Sequence, residues 1–258
     1  MLRALTFLRN TIASAWTWLV LATCVVLFTP LILLWRLIGW PFDRVNYAGG
    51  RLFRLCAVVT VRLTPRWHFA VTGNLPDNPR LPYVVVANHE SFADILLLSH
   101  LPWEMKWLSK VELMWIPILG WAMWGANDVG VKRGRATSAK LAMAACRERL
   151  ARHVSVLMFP EGTRSPTGEM LPFKDGAFRL AVDSGVPILP LAIHGTRNAI
   201  AKHDWRINPA TAVVEVLEPE PSAGVEVAEL KRRVRAKIEA ARDRMRTTTG
   251  AGTAPRRG

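Results

Sequence analysis

"VVVANHESFADILLL", Val84 to Leu98, sets three valines, then a histidine and two carboxylates, then a second apolar run. The valine run reads as a buried strand and the stretch after Ser91 as a helix, so ionisable side chains fall at the junction of two elements bound for the interior. Site chemistry collects at such junctions, because buried elements fix the loop residues while one side stays open to a ligand. His89 and Asp94 are five residues apart. On one continuous helix that spacing separates them by about 140°, on different faces. With the strand ending at His89 and the helix starting near Ser91, the chain can instead fold the Asp94 carboxylate onto the imidazole. Such a pair fixes the tautomer and leaves the other ring nitrogen free as a general base. The same letters fit an S-x-x-D capping box from Ser91 to Asp94, with His89 an ordinary loop residue. The segment alone does not choose between these readings.

The alternation continues outward. "HFAVTG", "YVVVAN", "VSVLMFP", "VPILPLAI" and "TAVVEVLE" read as strands, and Phe92–Ser99, Ala136–Arg152 and Gly176–Asp183 as helices, the last closed by Gly185 and Pro187. This predicts an α/β fold with a central mixed sheet covered by helices. "AELKRRVRAKIEAARDRMR" carries Leu230, Val234, Ile238, Ala241 and Met245 at helical spacing under a basic face. That pattern suits either contact with anionic lipid or a solvated helix packed on the domain. Chain length and a 50% hydrophobic composition fit one sizeable domain. The expected organisation is membrane-anchoring helices over 1–62, the domain over 63–246, and a disordered polar tail, "TTTGAGTAPRRG", over 247–258.

The N-terminal stretch from Thr11 to Trp35 has no charged residue. As a helix it would be about 37 Å long, enough for a bilayer core of about 30 Å, and it is expected to be membrane-embedded. It is too long for a signal peptide and lacks a small-x-small cleavage site before Arg36. Trp16, Trp18, Trp35 and Trp40 suit interfacial anchors, and Pro30 leaves two courses, spanning or bending back within one leaflet. Arg3 and Arg9 precede the segment, whereas Arg36, Arg44, Arg51, Arg54 and Arg62 follow, so the bulk of the chain is expected on the cytoplasmic face of the cell membrane. The stretch from Arg44 to Leu63 reads as an interfacial or domain-packing helix. The 34 basic against 20 acidic residues favour an anionic partner. Nucleic acid is not expected, since no recognition motif accompanies the charge. Cys24, Cys56 and Cys146 lie far apart, which suggests neither a disulfide framework nor a zinc site, and no His or Cys cluster accompanies His89.

A second strand end, "LMFPEGTRS" from Leu157 to Ser165, adds a glycine, a threonine hydroxyl and an arginine able to hold a phosphate bidentately. A Pro-Glu-Gly turn with a solvated Arg164 is the plain alternative. If both strands share one sheet, the two motifs open onto one crevice.

Together, "NHESFAD", "FPEGTRS", "FKDGAF" and "VPILPLAIHGT" resemble the ordered blocks of the glycerolipid acyltransferase family, from about Asn88 to Thr196. A further block departs: "ANDVGVKRG" keeps Arg133 but has Lys132 where the family commonly has an aspartate. The resemblance implies acyl transfer from an acyl-CoA or acyl-ACP thioester to the hydroxyl of a lysophospholipid, with lysophosphatidic acid the expected acceptor. It implies His89 as base, Asp94 orienting it, and Arg133, Glu161, Gly162, Thr163, Arg164 and Lys174 holding the acceptor phosphate. No cofactor or metal is expected. There is no G-x-S-x-G elbow, and Cys146 falls inside a predicted helix, which favours direct transfer without an acyl-enzyme. The tryptophans from Trp103 to Trp124 are expected mostly in the core, with an acyl groove as the alternative.

Overall fold

The computed structural model describes residues 2–64, 66–78, 80–197, 199–200 and 204–251. In chain order the elements are α1 (Leu2–Ile38), α2 (Tyr47–Arg62), β1 (Trp67–Gly73), β2 (Val84–Ala87), α3 (Ala93–Leu98), β3 (Met105–Lys110), a 3₁₀ turn (Val111–Trp115), α4 (Leu119–Gly125), β4 (Val129–Val131), α5 (Ala136–Ala151), β5 (Ser155–Met158), α6 (Gly176–Ser184), β6 (Ile188–His194), β7 (Ala210–Val216) and α7 (Val227–Ala251). All five runs read as strands are strands. β3 and β4 are additions.

The seven strands form one sheet in the order β1-β7-β6-β2-β5-β3-β4. β6, β2, β5, β3 and β4 run parallel, while β7 pairs antiparallel with β6 and parallel with β1, which makes the sheet mixed as expected. β2 lies between β6 and β5 and is buried on both faces. Val84 and Val86 pack with α5, α6 and α7 in one core layer, and Val85 and Ala87 with Leu97, Trp103 and Trp107 in the other. Doubly buried parallel strands read as continuous apolar runs for this reason.

The tryptophans divide differently from expectation. Trp103 and Trp107 are core residues, whereas Trp115, Trp121 and Trp124 are exposed on the 3₁₀ turn and α4. On α7, Leu230, Val234, Ile238 and Ala241 are fully buried against the domain, so the packed-helix reading holds for its apolar stripe. The helix continues to Ala251, five residues beyond the expected end at 246, and positions 252–258 of the expected tail lie outside the described residues.

α1 is one unbroken helix through Pro30, about 55 Å long at 1.5 Å per residue. Ser14, Thr17, Val20, Cys24 and Ile32 are buried toward the rest of the chain, while Ile12, Leu19, Val26, Leu27, Leu31 and Leu34 are exposed. α2 lies against α1 and is fastened to the sheet by a buried ion cluster. Arg54 Nη2 bonds Asp128 Oδ1 at 2.5 Å, and Lys106 Nζ bonds Glu104 Oε1 at 3.0 Å, Asn46 O at 2.9 Å and Ala126 O at 2.7 Å. Lys106 and Glu104 are fully buried. Burial pushes the Glu104 carboxyl up and the Lys106 ammonium down, and their mutual attraction opposes both shifts. Removing one member leaves a buried charge without a partner. Arg54→Ala is therefore expected to destabilise the detergent-solubilised protein by about 3–5 kcal/mol, read as a lowered melting midpoint; wild-type melting would refute the clamp.

Candidate active site

β2 ends at Ala87 and the chain turns at once into the start of α3. Asn88 holds the turn by a paired bond to β6, donating Nδ2 to Ile193 O at 3.0 Å and accepting from Ile193 N at 2.8 Å. The Asp94 side chain, fully buried, then closes the turn on itself. Its Oδ2 accepts from Glu90 N at 2.7 Å and Ser91 N at 3.0 Å, and lies 2.7 Å from His89 Nδ1. The His–Asp pair is present, and the same carboxylate supplies one half of the expected capping box, the bond to Ser91 N. Ser91 Oγ accepts from Ala93 N at 3.3 Å and donates to Ile200 O at 3.0 Å, which is a capping role.

The His89 ring stacks on Phe159 with centroids 4.0 Å apart and planes 16° from parallel. Its side chain is 11% exposed, Nδ1 faces Asp94, and Nε2 makes no hydrogen bond among the described residues. A carboxylate at Nδ1 holds the ring in one tautomer.

The second motif leaves β5, the neighbour of β2, so both open at the C-terminal edge of the parallel strands. Glu161 joins them: Oε1 accepts from His89 N at 2.8 Å and Oε2 from Leu171 N at 2.9 Å. Burial pushes its carboxyl up, against the pull of these two bonds and of His89. Glu161, expected to hold substrate phosphate, is 4% exposed and accepts from a backbone N–H at each oxygen, which ties the two loops together. Ser165 N adds a bond to His89 O at 3.1 Å.

Gly162 sits at φ +72°, a conformation that favours glycine, and the space beside it is taken by the movable end of Lys174, whose Nζ is 2.7 Å from where a Cβ would stand. Lys174, anchored by its N–H to Pro160 O at 2.9 Å, lines a cleft of about 230 Å³ with Gly162, Phe159, Met143, Lys132 and Arg133. Lys174, Arg133 and Lys132 make no ion pair among the described residues. Lys132, the departure from the family pattern, is thus among the residues that line the cleft. Arg164 and Thr163 lie on the same loop but outside this lining, so the expected phosphate set divides into a cleft group and a loop group. Phe159 both lines the cleft and stacks on His89. Cys146 is buried in α5 and its thiol is pushed up to about 12, which makes it a poor nucleophile.

Sequence reasoning passed over Thr196, Glu90 and Arg242. Thr196 Oγ1 hydrogen bonds Asp94 Oδ1, and Arg242 on α7 bonds Glu90. One signal was available: Arg242 falls four residues after Ile238, on the apolar stripe of α7 where a charge needs a buried partner.

Residues 68–194 match the family model described as Acyltransferase. Over 149 residues the chain is 39% identical to 1-acyl-sn-glycerol-3-phosphate acyltransferase alpha of Homo sapiens, covering 57% of this chain and 53% of that protein. A 1-acyl-sn-glycerol-3-phosphate acyltransferase of Chlamydomonas reinhardtii is 44% identical over 123 residues, 48% of this chain and 37% of that one. One of Cocos nucifera is 30% identical over 210 residues, 77% and 66% of the two chains. The chain spans about half the length of the mammalian relatives it matches. Among solved structures, the 1-acyl-sn-glycerophosphate (LPA) acyltransferase PlsC of Thermotoga maritima aligns with a TM-score of 0.77 at 26% identity, over 93% of this chain and 97% of that one.

The loop clamp has its own test. Glu161→Ala is expected to cost about 1–3 kcal/mol by orphaning two backbone donors, and to speed hydrogen exchange at the His89 and Leu171 amides. Unchanged protection at both amides would rule out the clamp.

Proposed function

The chain belongs to the acyltransferase family, and from its site we propose that it transfers a fatty acyl group from a CoA or acyl carrier protein thioester to the free hydroxyl of 1-acylglycerol-3-phosphate. The products are phosphatidate and the carrier thiol. The observation that carries this reading is the His89–Asp94 pair, stacked on Phe159, next to a cleft that Phe159 also lines and whose three cations make no ion pair among the described residues.

In the proposed reaction His89 Nε2 accepts the hydroxyl proton as the acceptor oxygen attacks the thioester carbonyl. Asp94 supports the imidazolium that forms. Collapse of the tetrahedral adduct breaks the C–S bond, and the proton on His89 passes to the departing thiolate. Oxygen, acyl carbon and proton all balance without a covalent enzyme intermediate. Arg133, Lys174 and Lys132 hold the acceptor phosphate, which sets its hydroxyl near the base, and Arg164 with Thr163 extends the same positive rim. A phosphate monoester, with up to two charges, suits three cations better than a capped diester does. No cofactor or metal enters the scheme.

Membrane attachment belongs to the same reading. An 18-residue window of Phe7–Ile38 has a mean hydropathy of 2.4, and this is the one helix among the described residues long and apolar enough to cross a bilayer. Its buried stripe packs on the rest of the chain over the same turns that would have to stand in lipid if the helix crossed alone. We therefore read α1 as lying along the domain with its outer face in one leaflet, on the cytoplasmic side.

Purified His89→Ala is expected to lose turnover by at least about a hundredfold while melting as wild type; retained activity would remove His89 as base. With acyl donor fixed, Lys174→Ala and Arg133→Ala should raise the KM for lysophosphatidate more than they lower kcat. Faster acylation of a choline-capped or phosphate-free lysolipid, with saturation unchanged in these variants, would overturn the acceptor. High salt should leave the protein membrane-bound, because apolar insertion is not screened; release by salt would point to electrostatic attachment.

A further inference from the structure

The C-terminal helix reaches the catalytic turn from below. Arg242, its side chain 4% exposed, ion pairs with Glu90 through Nη2 and Oε1 at 3.0 Å, and the same nitrogen donates to Gly168 O at 2.7 Å. Glu90 Oε2 lies 3.4 Å from the Thr196 hydroxyl, which makes its closer hydrogen bond to Asp94 Oδ1. One O–H cannot donate to both carboxylates, and the shorter contact assigns it to Asp94. A continuous line of contacts therefore runs from Arg242 through Glu90, Thr196 and Asp94 to His89.

This line solves an electrostatic problem. Glu90 and Asp94 are two buried carboxylates on one turn, and placing like charges together in the interior favours taking up a proton. Burial pushes the Glu90 carboxyl up and Asp94 pushes it further, while Arg242 opposes both. A proton on Glu90 would rearrange the donors around Thr196 and Asp94, and with them the bond that orients the imidazole. We propose that Arg242, Glu90 and Thr196 are positioning residues for acyl transfer, α7 holding Glu90 in place and Thr196 aiming Asp94 at His89 Nδ1. The proposal rests on the reading of His89 as base. Other charged or titratable groups face the same turn: Glu161 from the loop after β5, His194 at the end of β6, and Arg246 on α7. All three stay in place in the variants below.

The sign of the charge separates a positioning role from a plain tether. The experiment follows kcat/KM against pH for the full chain in detergent micelles, with lysophosphatidate and an acyl-CoA, in wild type, Arg242→Gln, Glu90→Gln and the double variant. Loss of the cation favours protonated His89 and moves the acid limb to higher pH. Loss of the Glu90 charge leaves Arg242 unopposed and moves it to lower pH. Each shift is expected to be about half a pH unit or more, and the double variant should return toward wild type. Thr196→Val should lower kcat on the order of tenfold with little change in KM, with Thr196→Ser restoring it. Two single variants that melt lower but keep the wild-type acid limb, with Thr196→Val at full kcat, would reduce α7 to a structural brace and overturn the proposal. A wild-type profile with no acid limb, or active His89→Ala, would instead defeat the base reading itself.

Discussion

Asp94 is the residue on which the site depends. Its carboxylate is wholly enclosed, yet it receives Glu90 N, Ser91 N, His89 Nδ1 and the Thr196 hydroxyl, so each of its oxygens is bonded. A buried anion is tolerable only when so satisfied. Its bonds simultaneously shape the turn, start α3 and fix the imidazole, and so the local fold and the chemistry cannot be separated at this position. Glu161 repeats the device one strand away, using a carboxylate to register the second loop against His89.

The two N-terminal helices rest on a different kind of contact. α1 meets the domain through apolar packing and hydrogen bonds such as Ile207 N to Ser14 Oγ at 2.8 Å, whereas α2 is pinned through Arg54 to Asp128, with Lys106 and Glu104 beside it. Apolar contacts alone would let helices slide in lipid, where there is little hydrophobic penalty for doing so. A buried ion cluster has one favourable geometry. It therefore sets the angle at which the exposed apolar face is presented relative to the mouth of the cleft.

Much of this was legible in the residues. β2, β5 and β6 announced themselves because strands buried on both faces are apolar throughout, and the His89 and Arg164 motifs fell at strand ends where the sheet delivers them to one edge. β3 was not legible, since Lys106 interrupts "MKWLSK" and the partners that make a buried lysine tolerable, Asn46 and Ala126, are 60 and 20 residues away. β4 is three residues long, too short for any periodicity. The tie that Glu161 makes between two loops was not legible, since its two backbone donors, one of them from His89, come from chain 72 and 10 residues away. Lys132 was undecided by pattern, and it lies in the lining of the cleft. The exposed Trp115, Trp121 and Trp124 match core tryptophans in composition, and only packing tells them apart.

The position of β2 in the sheet bears on how the chain comes to be made. Its two neighbours, β5 and β6, begin at Ser155 and Ile188, so the strand that carries His89 has no sheet partner until a long stretch of chain has followed it. At synthesis rates of about 5–20 residues per second that interval lasts several seconds. α1 leaves the ribosome long before then. The apolar face of α1 is thus made while the valines of β2 are still unpaired, and the sheet closes only afterwards, slowly because its pairings are non-local.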